Sequence, residues 1–347
     1  YLNIKPEFIP NLDASLKPNL ISKYGSKTWF GNVSKFNESI VISNLLFTNL
    51  SFIFELKNFI DIYVFLFYLQ VKINEHLNLP IEIGFYVGFR FDETDSTVRL
   101  EISGFNDNYN TFFNQVIDFI VNFKYNNEDI DVINTIIKNL LDGAKNMITD
   151  TPYIYASYVQ NLNVNKFSYK REDKIKYLES LDKRNFINRI EEIKNMIFYQ
   201  SKFTSFIYGN IEKNTLFNSD NNLKLIFPNI EKPKNELKIK TDTIVVHPNP
   251  KENNNYYRLS FYIGMFNPLN NLLLIILSVG FSNLFYSDLR SKQQFGYVVD
   301  AASSKLQKSY YFDQIVQSEK SIEEIEKAVD KFNREFLDTI NENEFKK

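Results

Sequence analysis

Arg290 and Tyr297 are the residues of this chain best suited to chemistry on a peptide. They lie seven positions apart in the run Leu289-Arg290-Ser291-Lys292-Gln293-Gln294-Phe295-Gly296-Tyr297. A guanidinium offers a rigid fork of N–H donors that fits peptide carbonyls. A phenol offers one O–H donor that can approach a developing oxyanion. Together they supply what a peptide-bond hydrolase needs opposite the groups that activate water. The apolar residues before Arg290 predict that it closes a helix, and Tyr297 is expected to open the following strand. A corner of seven residues then lets both side chains point off the same end of a sheet. Each also has an ordinary structural reading: Arg near a helix C-terminus complements the dipole, and Tyr is common in strands. Spacing alone leaves both readings open.

Other catalytic groups are scarce. The chain has two histidines, His76 and His247, and no cysteine. A catalytic zinc takes three protein ligands, mostly His with a carboxylate. Glu75-His76 matches the tail of an H-x-x-E-H zinc motif, but the place of its first His is held by Lys72. A cation there repels a metal. His76 therefore reads as a helix-end residue, and His247, before Pro248, as a loop residue. No metal ligand is expected in this chain. There is no G-x-S-x-G elbow and no G-x-x-x-x-G-K phosphate loop. Ten glycines in 347 residues are too sparse for a dinucleotide fingerprint. These residues do not assemble a complete active site.

Composition narrows the classes further. Hydrophobic residues make up 44% and charged residues 24%, the balance of a soluble globular protein with a sizeable core. A chain of 347 residues suffices for two ordinary domains. A net charge of −2 argues against nucleic acid as the main partner, because no basic excess is available to phosphates. The absence of Cys excludes disulfides and Cys-ligated zinc and is compatible with a reducing compartment, so the cytoplasm is the expected location. With no initiator Met and no charged-then-apolar leader, the chain is expected to be part of a longer polypeptide. The apolar runs Ile62–Leu69 and Leu272–Leu277 are shorter than the ~18 residues that a bilayer span needs. They are expected to be buried core helices, with no membrane span.

The elements that must position Arg290 and Tyr297 are legible in the hydrophobic periods. Ile81, Ile83, Phe85, Val87, Phe89 and Phe91 alternate with Glu82, Tyr86, Arg90 and Asp92, which predicts a strand. A turn at 92–95 leads to a second strand through Val98, Leu100 and Ile102. Helical spacing follows at Phe112–Phe123 and at about 129–150, with further helices near 151–163, 171–181 and 184–199 and a closing strand at 203–211. A polar, Pro- and Lys-containing stretch then reads as a linker. Beyond it Tyr257, Leu259, Phe261 and Ile263 alternate, an apolar helix covers about 269–289, and strands begin near 296 and 310. Ser321 and Glu324 form a capping box that opens a last helix. The second series repeats the first at an offset of 212 (296 − 84), which sets Gly296 against Gly84, Tyr297 against Phe85 and Arg290 against Asn78. At that offset Lys347 falls on position 135 (347 − 212), so the second unit is expected to be incomplete, by roughly a hundred residues. The expected fold class is α+β: two similar two-layer domains with mainly antiparallel sheets flanked by helices. Their expected bounds are 1–230 and 244–347, joined by a linker at 231–243.

The block Phe285 to Val299 resembles a signature in the C-terminal half of the insulin-degrading enzyme (insulysin, pitrilysin) family of zinc peptidases. It has the Leu-Arg, a Lys two residues after the Arg, a Gln and the Gly-Tyr in place. Ile315-Val316-Gln317-Ser318-Glu319-Lys320 resembles that family's following strand end. Ile207-Tyr208-Gly209-Asn210-Ile211 resembles its Gly-Asn-bearing closing strand, and Glu7-Phe8-Ile9-Pro10 the opening of its third domain. The resemblance implies four similar α+β domains in two halves that close around a chamber, with the zinc ligands and a catalytic Glu in the first domain. It implies that Arg290 binds substrate backbone, that Tyr297 helps stabilise the tetrahedral oxyanion, and that Tyr286 stands where the family has an aromatic near the substrate pocket.

The expected function is then the C-terminal, substrate-binding half of a zinc metalloendopeptidase. Its expected partners are a peptide substrate and an N-terminal half that carries the zinc; homo-oligomerisation stays open. The alternative is a catalytically inactive peptide-binding or scaffold member of the same fold.

Overall fold

A computed structural model of the chain describes residues 18–23, 26–32, 38–93, 95–146, 151–164, 168–211, 246–265, 267–306 and 309–339. These residues fall into two compact units. The linker expected at 231–243 and the Glu7–Pro10 block lie outside them.

The first unit is built on six strands: β1 (Asn19–Lys23), β2 (Ser26–Asn32), β3 (Ile40–Thr48), β4 (Tyr86–Asp92), β5 (Thr97–Phe105) and β6 (Lys202–Gly209), in the order β1-β2-β6-β3-β5-β4. All neighbours are antiparallel except β2 and β6, which run parallel. Side chains along β3 and β6 alternate between core and surface, as a pleated strand with one buried face requires. The helices that precede β6 in the chain are α1 (Ser51–Phe54), α2 (Leu56–His76), α3 (Asn78–Glu82), α4 (Tyr109–Asn122), α5 (Ile130–Asn146), α6 (Pro152–Val164), α7 (Arg171–Ser180) and α8 (Lys183–Phe198), all but α6 in the first unit. Helix α2 is the centre of the core: Phe59, Ile62, Val64, Phe65, Tyr68 and Leu69 are all buried, and α7 and α8 pack against it. Its one acid facing inward, Asp61, is held by Arg189 of α8 and by the Tyr177 hydroxyl at 2.9 Å. A buried carboxylate needs such partners.

The strand expected from Ile81 begins instead at Tyr86. Residues 78–82 form the short helix α3, for local reasons. The Asn78 side chain accepts the Leu79 N–H at 2.8 Å, and Pro80 has the φ that a first helical turn wants. Gly84, at φ +109, then releases the chain toward β4. The expected alternation survives from Phe85 onward, with Phe85, Val87 and Phe91 buried.

The second unit has three antiparallel strands, β7 (Asn255–Met265), β8 (Val298–Leu306) and β9 (Ser309–Ser318), in the order β7-β9-β8. Helix α9 (Pro268–Phe285) packs on β8, and α10 (Ile322–Thr339) on β7. Phe281, Phe285, Phe312 and Phe332 meet edge-on or stacked at the core. Helix α6 belongs to this unit, although it stands among first-unit elements in the sequence. Its Gln160 accepts from Arg258 on β7, and its Tyr153 N–H donates to the Gln317 side chain on β9 at 3.3 Å.

The internal repeat is visible in the strand positions. β4 and β8 begin 212 residues apart (298 − 86), as do β5 and β9 (309 − 97). One expectation needs correction. The run Leu272–Leu277 is not buried: Leu272, Leu273 and Ile276 are each more than half exposed, and only one face of α9 reaches the core. The continuous helix Pro268–Lys292 also has 25 residues, long and apolar enough by length and composition to cross a membrane. The alternating β7 residues Phe261 and Ile263 are likewise exposed at 43% and 40%, while Tyr257 and Leu259 pack partly against the core.

Candidate functional site

The path from α9 into β8 forms a built corner. After Phe285 the helix widens into a π-helical segment, Tyr286–Lys292. Its closing bond runs from the Gln293 N–H to the Asp288 carbonyl, five residues back, at 3.0 Å. Such widened turns are rare overall and frequent at functional sites. Leu289 points into the core, with no exposed area, so its neighbour Arg290 faces the corner. The Phe295 N–H then returns to the Leu289 carbonyl at 2.8 Å, and the Gln293 side chain donates to the Asp288 carboxylate at 2.6 Å.

Arg290 and Tyr297 meet across this corner. The Arg290 guanidinium donates to the Gly296 carbonyl and lies 5.4 Å from the centre of the Tyr297 ring. That distance is within cation–π range. Tyr297 stands just before β8 and is 85% exposed. The ring is therefore presented to solvent, braced by the half-buried Arg290 cation rather than packed in the core. Gly296 makes the approach possible. A Cβ there would stand 1.6 Å from the Gln317 carbonyl oxygen, so only glycine lets the corner sit on the end of β9.

Tyr286 occupies the first position of the π-helical segment, four residues before Arg290, and is half exposed. No hydrogen bond or ring contact joins it to the pair among the described residues. Two contributors escaped the sequence reading. Gln294 adopts a left-handed backbone, φ +58. Lys320, in the loop after β9, covers the Phe295 ring at 3.8 Å. The only signal for Lys320 was its place at the end of the Gln317-Ser318-Glu319-Lys320 run.

The histidines lie elsewhere. His76 ends α2, with its ring 5.0 Å from Phe119. His247 is a loop residue that accepts the Asn249 N–H at 3.1 Å and meets Tyr155 edge-on. Lys72 is bonded to Glu75 and, at 3.0 Å, to Asp129. These bonds, Glu75's first, hold its ammonium above the ordinary lysine range, so a firm cation occupies the place of the first zinc ligand. No three His, Cys, Asp or Glu side chains converge among the described residues. Among the described residues no set of side chains fits a zinc ion.

The family model for the middle or third domain of peptidase M16 matches residues 2–177. A model for the C-terminal lobe domain 4 of PqqF-like PQQ synthase matches residues 276–347. The fold and the two matches define a C-terminal half of a two-half peptidase: the chain belongs to the M16 peptidase family. Among curated proteins it is 25% identical over 264 residues to an insulin-degrading enzyme homolog of Dictyostelium discoideum, covering 70% of this chain and 26% of that protein. It thus spans about a quarter of the length of the curated relatives it matches. The crystal structure of pitrilysin aligns over 98% of this chain and 37% of its own, with a TM-score of 0.70 at 13% identity. The structure of a peptidase M16 inactive domain from Pseudomonas fluorescens aligns over 94% of this chain and 81% of its own, with a TM-score of 0.64 at 11% identity.

Proposed function

We propose that this chain is the substrate-binding half of a zinc metalloendopeptidase and that it completes an active site whose zinc is held by a separate N-terminal half. The observation that carries this reading is the Arg290–Tyr297 corner. A cation and a phenol of the required types are held together and braced by local bonds, the cation half-buried and the phenol exposed. In this reading Arg290 uses its remaining N–H donors on the carbonyls of a peptide substrate. Tyr297 donates its hydroxyl to the oxygen that gains charge as the peptide bond is attacked. Tyr286, one turn before Arg290, borders the peptide. The lack of Cys favours the cytoplasm as the place of action.

A second reading, a peptide-binding or scaffold member without chemistry, draws support from the likeness to an inactive M16 domain of which the chain covers 81%. Peptide-cleavage kinetics on the protein joined to its zinc-binding half separate the two. Tyr297→Phe removes one hydroxyl and should lower kcat by roughly 10²–10³-fold with KM little changed, as for other single oxyanion donors. Arg290→Ala should weaken binding as well as turnover, because carbonyl contacts exist in both ground and transition states. Wild-type kcat in Tyr297→Phe would remove Tyr297 from the mechanism, and no cleavage by the unaltered, joined protein would put the scaffold reading first.

A further inference from the structure

We propose that Lys320 is a positioning residue for the Arg290–Tyr297 pair, a role that deepens and rests on the substrate-binding reading above. Tyr297 is too exposed to be aimed by its own packing, so its direction is set by the backbone on either side. On one side Val298 is paired with Gln317 in the sheet. On the other side is the turn 293–296, which contains Gln294 at φ +58. A side-chain-bearing residue other than Asn or Asp rarely takes that conformation, and it persists only where its surroundings impose it. Lys320 straddles the strained residue. Its ammonium donates to the Gln293 carbonyl, one residue before, at 3.2 Å. It lies over the Phe295 ring, one residue after, at 3.8 Å.

Lys320 is itself fixed. Its N–H donates to the Ser318 hydroxyl at 3.2 Å, and its carbonyl accepts from the Asn255 side chain on β7 at 2.9 Å. A single lysine thus ties the edge strand β7 and the central strand β9, through its backbone, to the turn that carries the pair, through its ammonium. Gly296, seated on the Gln317 carbonyl, is the second tie. A local bond such as that of Gln293 to Asp288 moves with the turn and cannot fix it to the sheet.

Amide exchange and peptide cleavage, both measured on the full-length protein, test this. Lys320→Met keeps the stem and removes the charge. It should speed exchange of the Phe295 amide about tenfold, the loss expected of one cation–π contact and one carbonyl bond, with the exchange of α10 unchanged. Lys320→Arg should restore slow exchange. Gln294→Gly removes the strain, so in the double variant Lys320→Met/Gln294→Gly most of the protection should return. In cleavage, Lys320→Met should lower kcat about tenfold with KM within about twofold. Wild-type exchange at Phe295 in Lys320→Met, or no recovery in the double variant, overturns the proposal. So does faster exchange with wild-type kcat when Tyr297→Phe is slow. If Tyr297→Phe itself turns over normally, the catalytic reading fails and the positioning role fails with it, whatever the exchange shows.

Discussion

The two units place the same corner in opposite environments. In the first, the chain leaves α2, passes Gly84 and enters β4 with Phe85 only 4% exposed. In the second, it leaves α9, passes Gly296 and enters β8 with Tyr297 85% exposed. The residues are 212 positions apart and begin equivalent hairpins. What differs is the backbone before them. Residues 78–82 of the first unit tighten into a short helix and fold Phe85 inward onto Phe112. Residues 286–292 of the second unit widen into a π-helical segment and swing the aromatic outward onto Arg290. A core-forming corner and a solvent-facing corner thus share a scaffold, and a few residues of helix end decide between them.

Truncating the two aromatics gives the largest contrast. Phe85→Ala should cost roughly 3–5 kcal/mol of first-unit stability, as for other buried Phe residues. Tyr297→Ala should stay within about 0.5 kcal/mol, as for an exposed side chain. Denaturant unfolding followed by the single Trp29, on β2, reports the first unit, and amide exchange in β9 reports the second. Equal losses would mean that Tyr297 is a core residue, and the comparison would collapse.

Each unit also has an Arg–Asp pair, and the two should respond differently. Both acids are buried, but Asp61 keeps 1% of its side chain exposed beside Arg189 at 15%, whereas Asp313, 2.6 Å from Arg258, keeps 8% beside a guanidinium at 22%. Arg189→Leu should cost about 3 kcal/mol at neutral pH, because it strands a buried carboxylate. Arg258→Leu should cost less. Burial lifts the Asp61 carboxyl above the ordinary range, against the opposing pull of the Tyr177 bond and Arg189. A raised folded value adds stability that is fully present below the ordinary carboxylate pKa and is lost as pH rises through the raised one. Removing Arg189 raises it further, so the deficit of Arg189→Leu should shrink as pH falls toward 4. A deficit that is constant from about pH 4 to 8 would show that Asp61 does not carry it.

The smallest effect concerns helix starts. α4 begins after Asn108, at φ +60, with no side-chain cap. α10 begins with a reciprocal pair, in which the Ser321 N–H donates to Glu324 at 2.9 Å and the Glu324 N–H to the Ser321 hydroxyl at 3.2 Å. The Ser321 N–H, first among the causes, holds the Glu324 carboxyl below its ordinary range. Its contribution is therefore present above the ordinary carboxylate pKa and is lost as pH falls through the lowered value. Protection against exchange in the first turn of α10, taken relative to the intrinsic rate at each pH, should fall on acidification, and that of α4 should not. Glu324→Gln, which keeps an acceptor, should abolish the difference.

The sequence made much of this legible. Periods of two and 3.6 located β5, α4, α5, α8 and β6 to within a few residues, because each buries one face in a single core. The capping box was readable because it is local. The readings that failed depended on tertiary context. Whether an apolar helix is buried is decided by what packs on it: α7 and α8 cover α2, while most of α9 remains open among the described residues. The extended reading of Ile81 and Ile83 lost to Asn78 and Pro80, whose local chemistry outweighs alternation. Arg290 and Tyr297 stood out by type and spacing. Lys320 did not, because its partners lie 25 and 27 residues away, and no period links a loop lysine to a turn it covers.

The placement of α6 has a consequence for the order in which the protein is made. Its Gln160 meets Arg258 across 98 residues of chain, and its Tyr153 meets Gln317 across 164. A ribosome delivering roughly 5–20 residues per second produces this helix many seconds before β9 exists. Throughout that interval α6 waits without its sheet while the first unit, whose β6 ends at Gly209, can already close. Any cut between the two units as the sequence orders them would deprive the second of a helix synthesised before α7, α8 and β6 of the first.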